Sequence, residues 1–180
     1  PMRAFIALEP PEGFVEDVAA VARVLNAAVE GRFVPRQNYH VTLAFLGDID
    51  EAQVRDAMDA IDEACVGAAA VPMCPDGLGK FGRTSDATLW LRLASDPELT
   101  DLASCIREAL KSRSIGFDDK PFLPHITLAR RAKLPKTPLP ELAFPLPCDA
   151  TRITLFKSTL CRDGAQYKPL YTVELQDSKA

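Results

Sequence analysis

Two histidines are all that this chain of 180 residues contains, and both stand in the same setting. His40 opens His40-Val41-Thr42-Leu43, and His125 opens His125-Ile126-Thr127-Leu128. At average residue usage, finding threonine two places and leucine three places after each of the only two histidines is a coincidence on the order of one in tens of thousands. Imidazole titrates closest to neutral pH, so two of them on one surface suit a reaction in which one atom loses a proton while another gains one. In-line displacement at phosphorus has that requirement: a base activates the attacking oxygen and an acid protonates the leaving oxygen on the far side. Thr42 and Thr127 add hydroxyl donors for the non-bridging phosphoryl oxygens, where negative charge builds. A single His-x-Thr strand is most simply a structural hydrogen-bonded pair. The repetition, with no third histidine in the chain, is what points to chemistry.

Strands must carry both copies. Apolar and β-branched residues run through Val41 to Phe45 and through Ile126 to Ala129, with turn formers outside them at Gly47-Asp48 and Pro121 to Pro124. Residues two apart in a strand share a face. His40 therefore projects with Thr42, and His125 with Thr127, while Val41, Leu43, Ile126 and Leu128 turn to a core. Arg130 is odd-spaced to His125 and would point away in a regular strand, so a bulge or the strand end is needed to turn it back. Lys80, Arg83, Arg131 and Lys133 are further candidates for phosphate contacts. Phe81 is an aromatic that can stack on a base, and Trp90 is expected in the core.

The remaining elements follow from period and punctuation. Arg3 to Leu8 reads as a first strand, followed by an amphipathic helix from about Glu12 to Glu30. Asp50 stands at the N-cap of a second helix reaching about Cys65, and Ser95 or Asp96 caps a third from Pro97 to about Lys111. A short strand is expected around Val71, a glycine-rich loop over Pro75 to Arg83, and a strand over Thr88 to Leu93. Pro135 to Pro147 is too rich in proline for a central strand or a helix. Two last strands flank the hairpin signal Asp163-Gly164. Strands alternating with helices and closing in a hairpin give an α+β class with largely antiparallel sheets. The duplicated motif gives two similar lobes whose histidine strands meet at a cleft, within one domain over residues 1–180.

Composition narrows the field further. A formal net charge of −4 excludes broad adhesion to nucleic acid or acidic membranes, so any nucleic-acid contact should be short and end-directed. The five cysteines are odd in number and contain no Cys-x-x-Cys pair, which fits reduced thiols in the cytoplasm rather than a disulfide frame or a zinc site. No apolar run has the length of a membrane span, and Pro1 ahead of Met2 reads as an expression remnant. No metal or other cofactor is called for, and a monomer without an obligate protein partner is the default.

On the two motifs, and on Arg3-Ala4-Phe5-Ile6-Ala7-Leu8, Phe45-Leu46-Gly47, Trp90, Pro124-His125-Ile126-Thr127-Leu128-Ala129-Arg130, Leu155-Phe156-Lys157-Ser158, Gly164 and Tyr167, the chain resembles the 2H phosphoesterases. Within them it is similar to the RNA 2′,3′-cyclic phosphodiesterases, also called LigT-like 2′-5′ RNA ligases. The resemblance implies a bilobal LigT-like fold, with two pseudo-symmetric lobes of antiparallel sheets around a central cleft and helices outside. It implies metal-independent hydrolysis of RNA ends bearing a 2′,3′-cyclic phosphate to 2′-phosphomonoesters, with 2′-5′ ligation as the reverse. His40 and His125 would transfer protons, Thr42 and Thr127 would hold the phosphate, and Arg130 would help. The expected division has His125 activating water and His40 protonating the leaving 3′ oxygen. Two other readings stay open: a relative acting on 2′-5′ oligonucleotides or small cyclic nucleotides, and a non-catalytic protein that binds RNA ends.

Overall fold

Ten strands and three helices make up the described part of the chain, residues 1–176 of a computed structural model. In order they are β1 (Met2–Glu9), α1 (Glu12–Asn26), β2 (Glu30–Phe33), a 3-10 turn (Arg36–Asn38), β3 (Val41–Ile49), α2 (Glu51–Cys65), β4 (Val71–Met73), β5 (Pro75–Arg83), β6 (Asp86–Leu93), α3 (Pro97–Ser112), β7 (His125–Lys133), β8 (Cys148–Ala150), β9 (Arg152–Cys161) and β10 (Gly164–Glu174). Two four-stranded antiparallel sheets carry the architecture, in the orders β10-β9-β1-β3 and β2-β7-β6-β5. One histidine motif belongs to each sheet. β4 and β8 form a separate two-stranded ribbon.

The helices close as their sequences dictate. Asp50 accepts from the Gln53 N–H while the Gln53 side chain accepts from the Asp50 N–H, a full capping box at the start of α2. Asp96 accepts from the Glu98 N–H, with Pro97 at the first helical position of α3. Their apolar stripes, Ala57, Ala60 and Ile61 on α2 and Leu99, Ile106 and Leu110 on α3, are fully buried or nearly so. They join Ile6 and Leu8 of β1, Leu43 of β3, Leu91 and Leu93 of β6, and Ile126 and Leu128 of β7 in one continuous core. Each large side chain in it contributes roughly 1.5–3 kcal/mol by leaving water. Because both sheets feed that single core, the faces they turn to each other on the far side are held as the walls of a cleft.

Several sequence expectations are corrected here. The stretch from Pro75 to Arg83 is not a loop but the strand β5, paired with β6 from Pro75↔Leu93 to Arg83↔Asp86. Its glycine at position 79 serves the neighbouring tryptophan: a Cβ there would lie 2.2 Å from the Trp90 ring, so only glycine lets the indole lie across the strand. Helix α1 ends at Asn26, and the residues after it form β2, whose three exposed positions hid it from a search for apolar alternation. β8 was likewise unforeseen, and β3 continues past Gly47, which takes φ +71°, to Ile49.

Candidate active site

His40 sits one residue ahead of β3, on the chain leaving the 3-10 turn. Its Nδ1–H donates to the Asn38 carbonyl at 2.8 Å, since a carbonyl can only accept. The Asn38 side chain is itself buried and donates to the Ala165 carbonyl of β10 at 2.8 Å, which fixes the turn against the last hairpin. With Nδ1 holding the proton, Nε2 carries the lone pair, and it lies 2.9 Å from Thr42 Oγ1, which donates to it. The ring is flanked by Phe5 at 4.8 Å and by the edge of Tyr167 at 5.3 Å.

His125 opens β7 in the same manner. Its Nδ1–H donates to the carbonyl two residues back, Leu123, at 2.6 Å, and its ring is flanked by Trp90 at 5.4 Å and Phe81 at 5.6 Å. Both histidines are therefore tethered to backbone through Nδ1, bracketed by two aromatics, and left with Nε2 for chemistry. Trp90 is buried as expected, but on the cleft side of its sheet; Phe81 is 45% exposed beside it.

A bulge follows each threonine at the same place. In β3 the partners of β1 step from Ala7↔Thr42 to Ile6↔Ala44, leaving Leu43 as the extra residue. In β7 the partners of β6 step from Trp90↔Thr127 to Leu89↔Ala129, leaving Leu128 extra. Each bulge reverses the alternation beyond it, so that the residue after the alanine returns to the histidine's face. That residue is Phe45 in one copy and Arg130 in the other. The geometry thus supplies the bulge that Arg130 needs to face the cleft. The freed carbonyls are satisfied from outside the strands: Leu43 O accepts from Arg107 Nε at 3.1 Å, and Leu128 O from the Val34 N–H at 2.8 Å.

The two copies are crossed in space. One cavity of about 590 Å³ is lined by His40 from the first motif together with Thr127 and Arg130 from the second, and also by Tyr167, Arg32 and Arg162. A neighbouring cavity of about 540 Å³ is lined by His125 together with Thr42 and Phe45, and by Phe81, Phe122 and Arg107. Both lie in the range of small-ligand sites. An atom held between the histidines would meet a threonine hydroxyl from each side.

Other sequence candidates fall outside. Lys80 Nζ donates to the Gly82 carbonyl, and neither Lys80 nor Arg83 lines either cavity. Arg131, at φ +54°, lines the first cavity but is paired with Asp86 at 2.9 Å. The residues that sequence reasoning passed over include Asn38, Arg107, Arg32 and Arg162. Arg32 lies in an unrecognised strand, Arg162 lies in the turn of the last hairpin, and Asn38 and Arg107 act through the backbone, where side-chain chemistry gives no signal.

Electrostatics separates the histidines. Enclosure of the His40 ring pushes its pKa down from 6.5 to about 4, partly offset by the bond to Asn38, and His125 and Arg130 push it the same way as burial. His40 is therefore neutral at rest. Burial likewise pushes the thiols of Cys65 and Cys148 up to about 11 and about 12, keeping them protonated and inert.

Comparison with known proteins gives one consistent answer. An RNA 2′,3′-cyclic phosphodiesterase of Geobacillus stearothermophilus is 31% identical over 140 residues, 77% of this chain, which spans only 45% of that protein's length. The RNA 2′,3′-cyclic phosphodiesterase of Thermotoga maritima is 26% identical over 97% of this chain and 96% of its own. The crystal structure of Escherichia coli LigT superposes with a TM-score of 0.78 at 28% identity, over 98% of both chains, and the same protein has been crystallised with 3′-AMP. The fold is accordingly the α+β LigT arrangement. The sequence profile of the 2′-5′ RNA ligase superfamily matches residues 10–160, and this chain belongs to that superfamily.

Proposed function

We propose that the chain hydrolyses the 2′,3′-cyclic phosphate at RNA ends, opening the ring to a 2′-phosphomonoester, with His40 and His125 as its acid and base and with no metal in the reaction. The observation that carries this is the crossing of the motifs: each histidine shares a cavity with the threonine of the other copy. In this reading the phosphorus lies at the crossing with an imidazole on either side, as in-line displacement requires. The names of the relatives support the same substrate.

In this reading water attacks phosphorus while His125 Nε2 takes its proton, and the P–O3′ bond breaks as His40 Nε2 delivers a proton to O3′. Thr42, Thr127 and Arg130 hold the non-bridging oxygens. His40, neutral in the free protein, gains its proton from solvent together with the anionic substrate, whose charge offsets the cost of an imidazolium in that enclosure. Phe81 and Phe122, in the cavity beside His125, offer faces for the terminal base. A 5′-hydroxyl in place of water gives a 2′-5′ linkage by the same two transfers. The scattered thiols suit a reducing compartment.

The test is incubation with EDTA and an oligonucleotide ending in a 2′,3′-cyclic phosphate, with phosphorus NMR as the readout. A 2′-phosphate product that His40→Ala and His125→Ala each abolish is the expected result; no product, or product that survives either substitution, overturns the reading. The division of roles has its own check. With sulfur at the 3′ position the leaving group needs no proton, so the deficit of His40→Ala shrinks on that substrate while the deficit of His125→Ala persists.

A further inference from the structure

Arg32 of β2 and Arg130 of β7 are directly opposed cross-strand partners, a placement that like charges disfavour. Among the described residues neither forms an ion pair, although Arg131 next in the chain does, with Asp86. Both side chains line the cavity that holds His40 and Thr127, and Arg162, at the turn between β9 and β10, lines it too, beside Asp163. β2 is held tightly on β7 at this point: a Cβ at Gly31 would come within 3.0 Å of Ala132 Cα. Two unpaired guanidinium groups are thus kept side by side on a rigid pair of strands, at the margin of the proposed catalytic centre. Such a pair is built for an anion that arrives with the substrate.

The chemistry of the substrate says which anion. Resting on the phosphodiesterase reading, the cyclic phosphate sits between the histidines at the 3′ end of a strand, so every other phosphate of a hydrolysis substrate lies on its 5′ side. The nearest of these hangs from C5′, at the C4′ end of the ring edge that carries O3′. The arginine cavity contains His40, the histidine assigned to O3′, so the strand's 5′ continuation and the arginines fall on one side of the reacting phosphorus. The base, at the C1′ end, falls on the other, toward Phe81 and Phe122.

We propose that Arg32, with Arg162 and the outer side of Arg130, forms a second phosphate subsite that binds the internucleotide phosphodiester 5′ of the terminal nucleoside. The enzyme thereby selects RNA strands over free cyclic mononucleotides.

The experiment compares three substrates: a nucleoside 2′,3′-cyclic phosphate, the same compound carrying a 5′-phosphate, and a dinucleotide ending in the cyclic phosphate. In the wild type the last two should show KM values about tenfold or more below the first. Arg32→Gln should raise both by about tenfold, leave the first substrate unchanged, and flatten the salt dependence of the dinucleotide by about 0.7 in logarithmic slope, one phosphate contact. Arg32→Lys should retain most of the difference. Removing one of two opposed charges should also hold or raise Tm, which separates a lost contact from a damaged fold. Arg162→Gln, outside the sheet, gives the same readout if the Arg32 variants fail to fold. Equal effects on all three substrates, or no effect on any, overturn the subsite. A 5′-phosphate that gains nothing while the dinucleotide does would assign the preference to the second base instead and overturn it as well. Should the wild type turn over none of the three, the phosphodiesterase reading fails separately. Titration with mono- and dinucleotide 2′-phosphates then decides the subsite by whether Arg32→Gln weakens only the dinucleotide.

Discussion

Phe45 and Arg130 occupy the same place in the two halves of the cleft, each turned onto the histidine's face by a bulged leucine and followed outward by the wall of its own cavity. The backbone of the site is two-fold and its chemistry is not. One half brings Arg32, Arg130 and Arg162, and the other brings Phe45, Phe81 and Phe122 beside a single arginine, Arg107. In the proposed reaction a symmetric cleft would accept a cyclic phosphate in either sense, and these unlike walls are the feature that would favour one sense over the other.

The pH dependence should expose the enclosure of His40. Below about pH 4 the enclosed ring of His40 holds a proton even in the free protein. The plot of kcat/KM against pH should be bell-shaped, with its acid limb near 4 rather than near the ordinary histidine value of 6.5. Steady-state rates on a cyclic mononucleotide between pH 3.5 and 9 measure it, and an acid limb at 6 or above would contradict the enclosure.

Thr42→Ala and Thr127→Ala should each lower kcat on the order of a hundredfold, the loss typical of one oxyanion donor. Thr42→Ser, which keeps the hydroxyl that reaches His40 Nε2, should recover most of it. A loss of twofold or less would remove the threonines from the reaction.

Arg107 acts through the backbone rather than on substrate phosphorus. Its Nε holds the bulge carbonyl of Leu43, and its Nη1 holds the Lys120 carbonyl at 2.8 Å, in the loop that leads to Leu123 and His125. Arg107→Ala should reduce kcat about tenfold with a fall in Tm of several degrees. Arg107→Lys should not rescue it, because a single ammonium cannot span both carbonyls. Full rescue by lysine would mean that only the charge matters.

Gly79→Ala forces a methyl group into the Trp90 ring. The expected cost is about 1–3 kcal/mol, as for other overpacked sites. Trp90 is the only tryptophan in the chain, so its emission reports the displacement directly. Unchanged emission and unchanged Tm would show that the strand yields without disturbing the indole.

The histidines, their threonines and the helix caps were legible because each depends on residue type at short range. The sequence raises a bulge only for Arg130, as an alternative to the strand end, and not for Phe45, although both copies continue as Leu-Ala before these residues. Two buried residues in succession, Leu43-Ala44 and Leu128-Ala129, break the alternation in the same place. β5 was lost because its glycines signal a loop until the tryptophan they accommodate is placed across from them. β2 was lost because an edge strand with three exposed residues has no apolar face to announce it.

The order of strands also sets an order of assembly. β5, β6 and β7 are sequence neighbours and can pair early, but β1, in the middle of the sheet beside His40, must wait for β9, on the far side of the chain. Pairings that close such long loops form slowly. During refolding the tryptophan environment should therefore recover before activity does, because the setting of His40 between Phe5 and Tyr167 is finished only when the last hairpin docks.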